Sequence, residues 1–274
     1  MAVSAVATSA CGLIAGIGSI GVADAGADAA TDDEAAAPPP PPTPDAAPVD
    51  SGPPAVPTMP TPGVYTYSVS GSDKLSGILN SSNAYGPFAT VTVAAGDGGC
   101  FTQSFHYRDR YDERMDMCIQ DLFVVNVAGM RVQRFPLVGN VTTVQTCSPG
   151  DKYFTPAPDA GESWTHDCAG NNADDQPDSG ATAYRSAGAY QFVGEETIAV
   201  FGKTVPVLHF RSQRVVSGKQ TGTNFAEWYL ETKTGLLVRL ERDVDVNYPA
   251  YSVNYKESID MKLLDLAPKT DGGT

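Results

Sequence analysis

The sequence predicts an all-β domain built as a single antiparallel, strongly curved sheet (a half-barrel) or as a β-sandwich. Three observations predict it. From Gly63 onward, apolar and polar residues alternate with a period of two over long stretches. No segment keeps the 3.6-residue period of an amphipathic helix over a useful length. Turn-forming dipeptides and tripeptides punctuate the alternation at short intervals.

The clearest rows lie near the C-terminus. Leu236, Val238, Leu240, Val244 and Val246 oppose Leu237, Arg239, Glu241, Asp243 and Asp245, with Arg242 as the one interruption of the apolar row. Tyr251, Val253, Tyr255, Ile259, Met261 and Leu263 oppose Ser252, Asn254, Lys256, Ser258, Asp260 and Lys262, with Glu257 as the interruption. Shorter strands are expected at Val64–Ser70, Ala89–Ala95, Leu122–Val127, Met130–Phe135, Val141–Cys147, Ala183–Val193, Thr197–Phe201, Thr204–Val216 and Asn224–Glu231. Turns are expected at Asp97-Gly98-Gly99, Ala128-Gly129, Phe201-Gly202-Lys203 and Lys233-Thr234-Gly235. Several strands are longer than the ~5–7 residues of ordinary sandwich strands. Long strands coil and bend, which favours a curled sheet.

The chain divides by composition. Residues 1–25 read as a signal peptide or membrane anchor: Ala2 to Val22 carry no charge, and Ala23-Asp24-Ala25 fits a small-x-small cleavage site. A third reading attaches lipid at Cys11. Residues 26–62 read as a disordered, proline-rich, acidic linker, with Pro38 to Pro42 followed by seven more prolines up to Pro62. Proline removes backbone donors and fixes φ, so this stretch extends as polyproline II. Residues 63–268 form the extracytoplasmic β domain, and 269–274 a disordered tail. The formal net charge is −14, and seven of those charges precede Ser51, where no Lys or Arg occurs. That acidity argues against nucleic acid and against anionic lipid as a surface for the domain. Any membrane contact is expected only through the N-terminal segment.

Cys100, Cys118, Cys147 and Cys168 form an even set in the domain, without C-x-x-C spacing. Four cysteines allow three pairings. The simplest joins sequence neighbours, Cys100 with Cys118 across a hairpin and Cys147 with Cys168 across the next loop. Each bridge closes a short loop and is worth about 3 kcal/mol in the chain-entropy model.

Enzyme signatures are missing: there is no G-x-S-x-G, S-x-x-K, H-E-x-x-H, P-loop or EF-hand loop. His106, His166 and His209 lie far apart in sequence and would make a zinc site only if the fold brought them together. The run His106 to Asp116 interleaves arginines with acids, so it reads as opposed charges on a solvated hairpin. Asp174, Asp175 and Asp178 lack calcium-loop spacing. No metal or cofactor is expected. A ligand groove is expected on the concave face, lined by Trp228, Tyr229, Tyr251, Val253, Tyr255, Glu257, Ile259, Met261 and Leu263. Glu257 there is either paired or part of a pocket, and Trp164 and Trp228 otherwise read as core.

The motifs Gly63-Val64-Tyr65-Thr66-Tyr67, Gly99-Cys100, Arg114 to Cys118, Trp164 to Cys168, Glu227-Trp228-Tyr229-Leu230 and Gly235-Leu236-Leu237-Val238-Arg239 resemble a group of uncharacterised actinobacterial exported proteins. These join a proline-rich stalk to one β domain. More distantly, the curved-sheet pattern is similar to the half-barrels of lipoprotein carriers. The resemblance implies an envelope location, secreted or tethered to the outer face of the membrane. The expected function is a non-catalytic module that binds an apolar envelope ligand or a protein partner. A secreted hydrolase with a site assembled only in the fold and a structural wall spacer are the alternatives.

Overall fold

The computed structural model describes residues 57–269, apart from 78–79, 110, 122, 136–138, 155–158 and 175–179. The expected signal or anchor, Cys11, most of the linker and the last five residues of the tail lie outside the described residues.

Thirteen strands occur among the described residues: β1 (Gly63–Gly77), β2 (Ser81–Ala84), β3 (Phe88–Ala95), β4 (Cys100–Arg108), β5 (Tyr111–Gln120), β6 (Phe123–Phe135), β7 (Gly139–Phe154), β8 (Ser163–Asp174), β9 (Thr182–Val200), β10 (Lys203–Gly218), β11 (Thr221–Glu231), β12 (Leu237–Tyr248) and β13 (Val253–Leu263). Each strand from β3 to β13 pairs with the next in sequence, antiparallel throughout. The sheet then closes on itself. β1 takes β3 and β2 on one edge and β13 on the other, from Tyr67 opposite Leu263 to Gly77 opposite Val253. The curved sheet is thus a full barrel, and closure removes the edges that a half-barrel would expose. Gly71 makes the seam possible: at φ +121° a Cβ there would meet the Ser258 carbonyl oxygen at 2.0 Å.

The outer wall carries charge. Arg239, Glu241, Asp243 and Asp245 of β12 and Lys256, Asp260 and Lys262 of β13 point away from the buried row. Such a wall faces water, since charged side chains against lipid are strongly unfavourable.

The interior is stratified. At one end, Tyr65, Tyr67, Phe101, Phe105, Phe210, Trp228, Leu240, Ile259, Met261 and Leu263 belong to one apolar cluster. At the other, Leu75, Val141, Tyr184, Val216, Val244, Val246, Tyr248, Val253 and Tyr255 form a second. Between them runs a polar belt of inward residues that includes Asp73, Gln103, Asn126, Thr143, His166, Ser186, Arg214, Asn224, Arg242 and Glu257. Each long strand therefore reads apolar, polar, apolar along its inner face.

Several expectations are corrected. The Ala128-Gly129 turn is absent, and β6 runs through it because a bulge between Asn126 and Ala128 absorbs the extra residue. The strands expected at 183–193 and 197–201 are one strand, β9. β8, read as a loop, is a full strand whose inner positions, His166 and Asn172, belong to the polar belt. It lacks apolar alternation for that reason. Tyr251 leaves the row of β13. It sits in a 3-10 turn, Pro249–Tyr251, which Pro249 starts and Ser252 ends in a left-handed conformation. The end of the expected linker packs on the barrel: Pro57 and Pro60 are buried, Met59 touches the first cluster, and the Thr58 amide donates to the Lys233 carbonyl at 3.0 Å. Lys269, read as the first residue of the tail, bridges to Val64.

Both expected disulfides are present, Cys100–Cys118 and Cys147–Cys168. Each joins directly opposed residues of neighbouring strands, β4 with β5 and β7 with β8. Two such bridges place the domain in an oxidising compartment outside the cytoplasm.

Candidate functional site

Three arrangements of side chains meet the description of a site. The first is the belt. Arg242 of β12, its side chain 2% exposed, donates to Glu257 at 2.8 Å, to Glu113 at 2.6 Å and to the Tyr111 hydroxyl at 2.8 Å. Glu257 also accepts from the hydroxyls of Tyr85 at 3.0 Å and Tyr255 at 2.5 Å. The two interruptions of the apolar rows are therefore each other's partners across the β12–β13 ladder. Arg108 pairs with Asp73 on the same level. The charge run from His106 to Asp116 is divided between the faces: His106 with Asp112 and Arg114 with Asp116 stay outside, while Glu113 turns inward.

Burial alone would raise the Glu113 carboxyl, but the guanidinium groups of Arg242 and Arg131 outweigh it and hold the group at about 2. Its ordinary value is 4.5. A depressed folded-state value gives stability that is present above pH ~4.5 and is lost as pH falls toward 2, in total about 3 kcal/mol. Glu113→Gln is expected to lower the urea midpoint at pH 7, and that deficit is expected to disappear by pH 2. A deficit equal at both pH values would contradict the assignment.

Beside this cluster lies a partly open cavity of about 30 Å³, lined by Glu113, Asn126, Arg131, Arg214, Asn224 and Trp228 among others. It has room for one or two waters. The side-chain oxygens of Asn126 and Asn224 and Nε of Arg131 have no hydrogen-bond partner among the described residues.

The second arrangement is on the outer wall. His209 of β10 lies 2.7 Å from Glu196 through Nδ1 and 2.7 Å from Glu227 through Nε2, and Arg211 donates to Glu227 at 2.7 Å. Glu227 is thus shared between the His209 ring and the Arg211 guanidinium. Tyr229, expected in the groove, is turned to this outer face. Its ring stacks on His209 with centroids 4.2 Å apart, and the Arg239 guanidinium is 5.7 Å from it. A bulge between His209 and Phe210 sits beside the bridge. Above it, β9 continues past its last β8 partner, Gln191, and β10 begins before its first β11 partner at Val207.

That overhanging hairpin builds the third arrangement. Val200, Val205 and Val207 are buried in the first apolar cluster, so the hairpin lies over that end of the barrel. Beneath it a groove of 340 Å³ is walled by Pro60, Tyr65, Val205, Pro206, Leu236 and Leu266. Lys203, Lys233 and Glu231 stand at the same groove. The Glu231 carboxylate is engaged by the amides of Lys233 at 3.1 Å and Thr234 at 2.8 Å and by the Thr234 hydroxyl at 2.7 Å. At the hairpin tip, Phe201 is 80% exposed and adopts φ +46°, followed by Gly202 at φ +74°. Left-handed backbone is unfavourable for a bulky aromatic.

The residues expected to line a groove are distributed otherwise. Trp228, Val253, Tyr255, Glu257, Ile259, Met261 and Leu263 all face the interior and are buried. Trp228 donates to the Ser212 hydroxyl at 3.1 Å, and Trp164 packs on the first cluster. Tyr251 is half-buried at the far end, its hydroxyl bonded to Asp174. The lysines and leucines of the mouth groove were not among the expected residues. The signal that could have found them is Phe201-Gly202, a phenylalanine where a two-residue hairpin turn prefers Asn or Gly. The three histidines stand on β4, β8 and β10, and no cluster of metal-ligating side chains occurs among the described residues.

Two depressions are larger than the mouth groove. One of 450 Å³ crosses the outer wall at Lys74, Phe225, Asp243, Asp245 and Lys256. Its charges pair across the strands, as Lys256 with Asp245 at 2.9 Å, which makes it a solvated surface. The other, of 380 Å³ at the far end, mixes Ser76, Asn247, Ser252 and Asn254 with Tyr248, Pro249 and Val253.

No family model matches the chain, and no curated protein does. Among solved structures, the hypothetical lipoprotein YmcC from Escherichia coli K12 is similar at 12% identity, covering 75% of this chain and 87% of that one, with a TM-score of 0.34. A likeness of that degree carries no argument about what this chain does.

Proposed function

We propose that this chain is a non-catalytic module of the cell envelope, secreted or tethered to the outer face of the membrane through its N-terminal segment. Its barrel binds an apolar or amphiphilic small molecule in the groove at its mouth. The observation that carries the reading is the contrast in free space between the barrel interior and its mouth. The inner row of β13 is packed in the two apolar clusters, and the cavity beside the polar belt holds only about 30 Å³. The mouth groove holds 340 Å³, within the range of small-molecule sites, which favour the mouths of barrels. The location is supported by the disulfides and by the resemblance to exported, stalk-bearing proteins. A protein partner is the second reading, favoured by Phe201, whose exposure and backbone both act against its own stability.

The test uses Prodan, an uncharged environment-sensitive dye. Saturable binding is expected in the purified protein. Leu266→Arg, at a half-buried position on the groove wall, is expected to weaken it at least tenfold with little change in melting temperature. Absence of saturable binding, or binding indifferent to Leu266→Arg, would remove the mouth groove as the site.

A further inference from the structure

The proposal that follows rests on the mouth groove as the binding site and names the chemistry of its occupant. We infer that the groove selects a single-chain anionic amphiphile, a fatty carboxylate being the simplest member. Two independent features meet there.

The walls are aliphatic and ring-like, from Pro60, Val205, Pro206, Leu236 and Leu266. Such a surface takes a hydrocarbon tail and discriminates little among tails, because burial is non-directional. The rim is cationic. Lys203 and Lys233 make no ion pair among the described residues, whereas Lys219 and Lys256 are paired with Asp174 and Asp245. Glu231, the acid of the groove lining, has one carboxylate oxygen, Oε2, held by two backbone amides and a hydroxyl of its own turn, so the two lysines still leave the rim with an excess of one positive charge. Two ammonium groups beside an apolar slot, on a domain whose charge is otherwise negative, complement a negative head with an alkyl tail. Lys203 belongs to the overhanging hairpin and Lys233 to the β11–β12 turn, so a shared anionic head would tie the hairpin to the barrel rim.

The test is competition against bound Prodan. Decanoate is expected to displace the dye at a concentration at least tenfold below that of decan-1-ol, and acetate is expected not to displace it. In Lys203→Gln/Lys233→Gln, Prodan binding is expected to persist while the preference for decanoate over decan-1-ol falls below threefold. Both lysines are surface residues, so the variant should retain the wild-type melting temperature. Lys203→Glu alone should reverse the preference. Raising NaCl from 20 to 500 mM should shrink the wild-type preference, since screening acts on the exposed head and not on the tail. Equal displacement by decanoate and decan-1-ol, or a preference that survives the double replacement, would overturn the inference and leave the groove as a neutral apolar site. Failure of Prodan itself to bind would instead overturn the groove reading beneath it.

Discussion

Arg242→Met is expected to destabilise the domain by about 3–5 kcal/mol, because it leaves two buried carboxylates without their shared cation. For a domain of this size that is a fall of roughly 10 °C or more in melting temperature. Glu257 keeps only tyrosine hydroxyls as donors, and Glu113 keeps the more distant Arg131 at 3.6 Å. The loss is one of uncompensated charge and should therefore be partly reversible. Arg242→Met/Glu257→Gln is expected to recover stability relative to Arg242→Met, as coupled groups do in a double-mutant cycle. A shift under 3 °C for the single replacement, or a double variant less stable than the single, would show that the belt does not hold the barrel together.

Opening the two disulfides is the other large effect. Each closes a loop of about 20 residues, with sequence separations of 18 and 21. Loops of that length are worth about 3 kcal/mol apiece in the chain-entropy model. Cys100→Ser/Cys118→Ser and Cys147→Ala/Cys168→Ala should each lower the denaturant midpoint, the second pair at the more buried site. The combined variant should lose about twice as much, because the bridges lie on different strand pairs. Non-reducing peptide mapping should return only Cys100–Cys118 and Cys147–Cys168. Crossed peptides, or a melting temperature unmoved by reduction in denaturant and refolding, would contradict the arrangement.

What was legible in the sequence follows from where apolar alternation was intact. The rows of β12 and β13 read directly, because both ends of those strands face an apolar cluster. Arg242 and Glu257 also read as interruptions, and both lie on the inner face. Their pairing was not legible, since it depends on the register between two strands. β8 was missed because its inner face meets the polar belt, so its pattern carries too little hydrophobic contrast. The disulfide partners followed from adjacency alone, and antiparallel neighbours made adjacency correct. Closure of the barrel could not be read from any one strand. It depends on Gly71 letting β1 approach β13 along its length. The mouth groove is tertiary in the same sense: Pro60, Lys203, Lys233 and Leu266 lie far apart in sequence and meet only because the β9–β10 hairpin overhangs the barrel end.

The central claim is that this barrel is filled by its own side chains and binds at its mouth. Hydrogen–deuterium exchange with and without saturating decanoate tests it most directly. Protection is expected to rise at 203–206, 231–236 and 264–266, and to stay unchanged along 253–261. A rise centred on 253–261, with the mouth segments unchanged, would place the ligand inside the barrel and contradict the account.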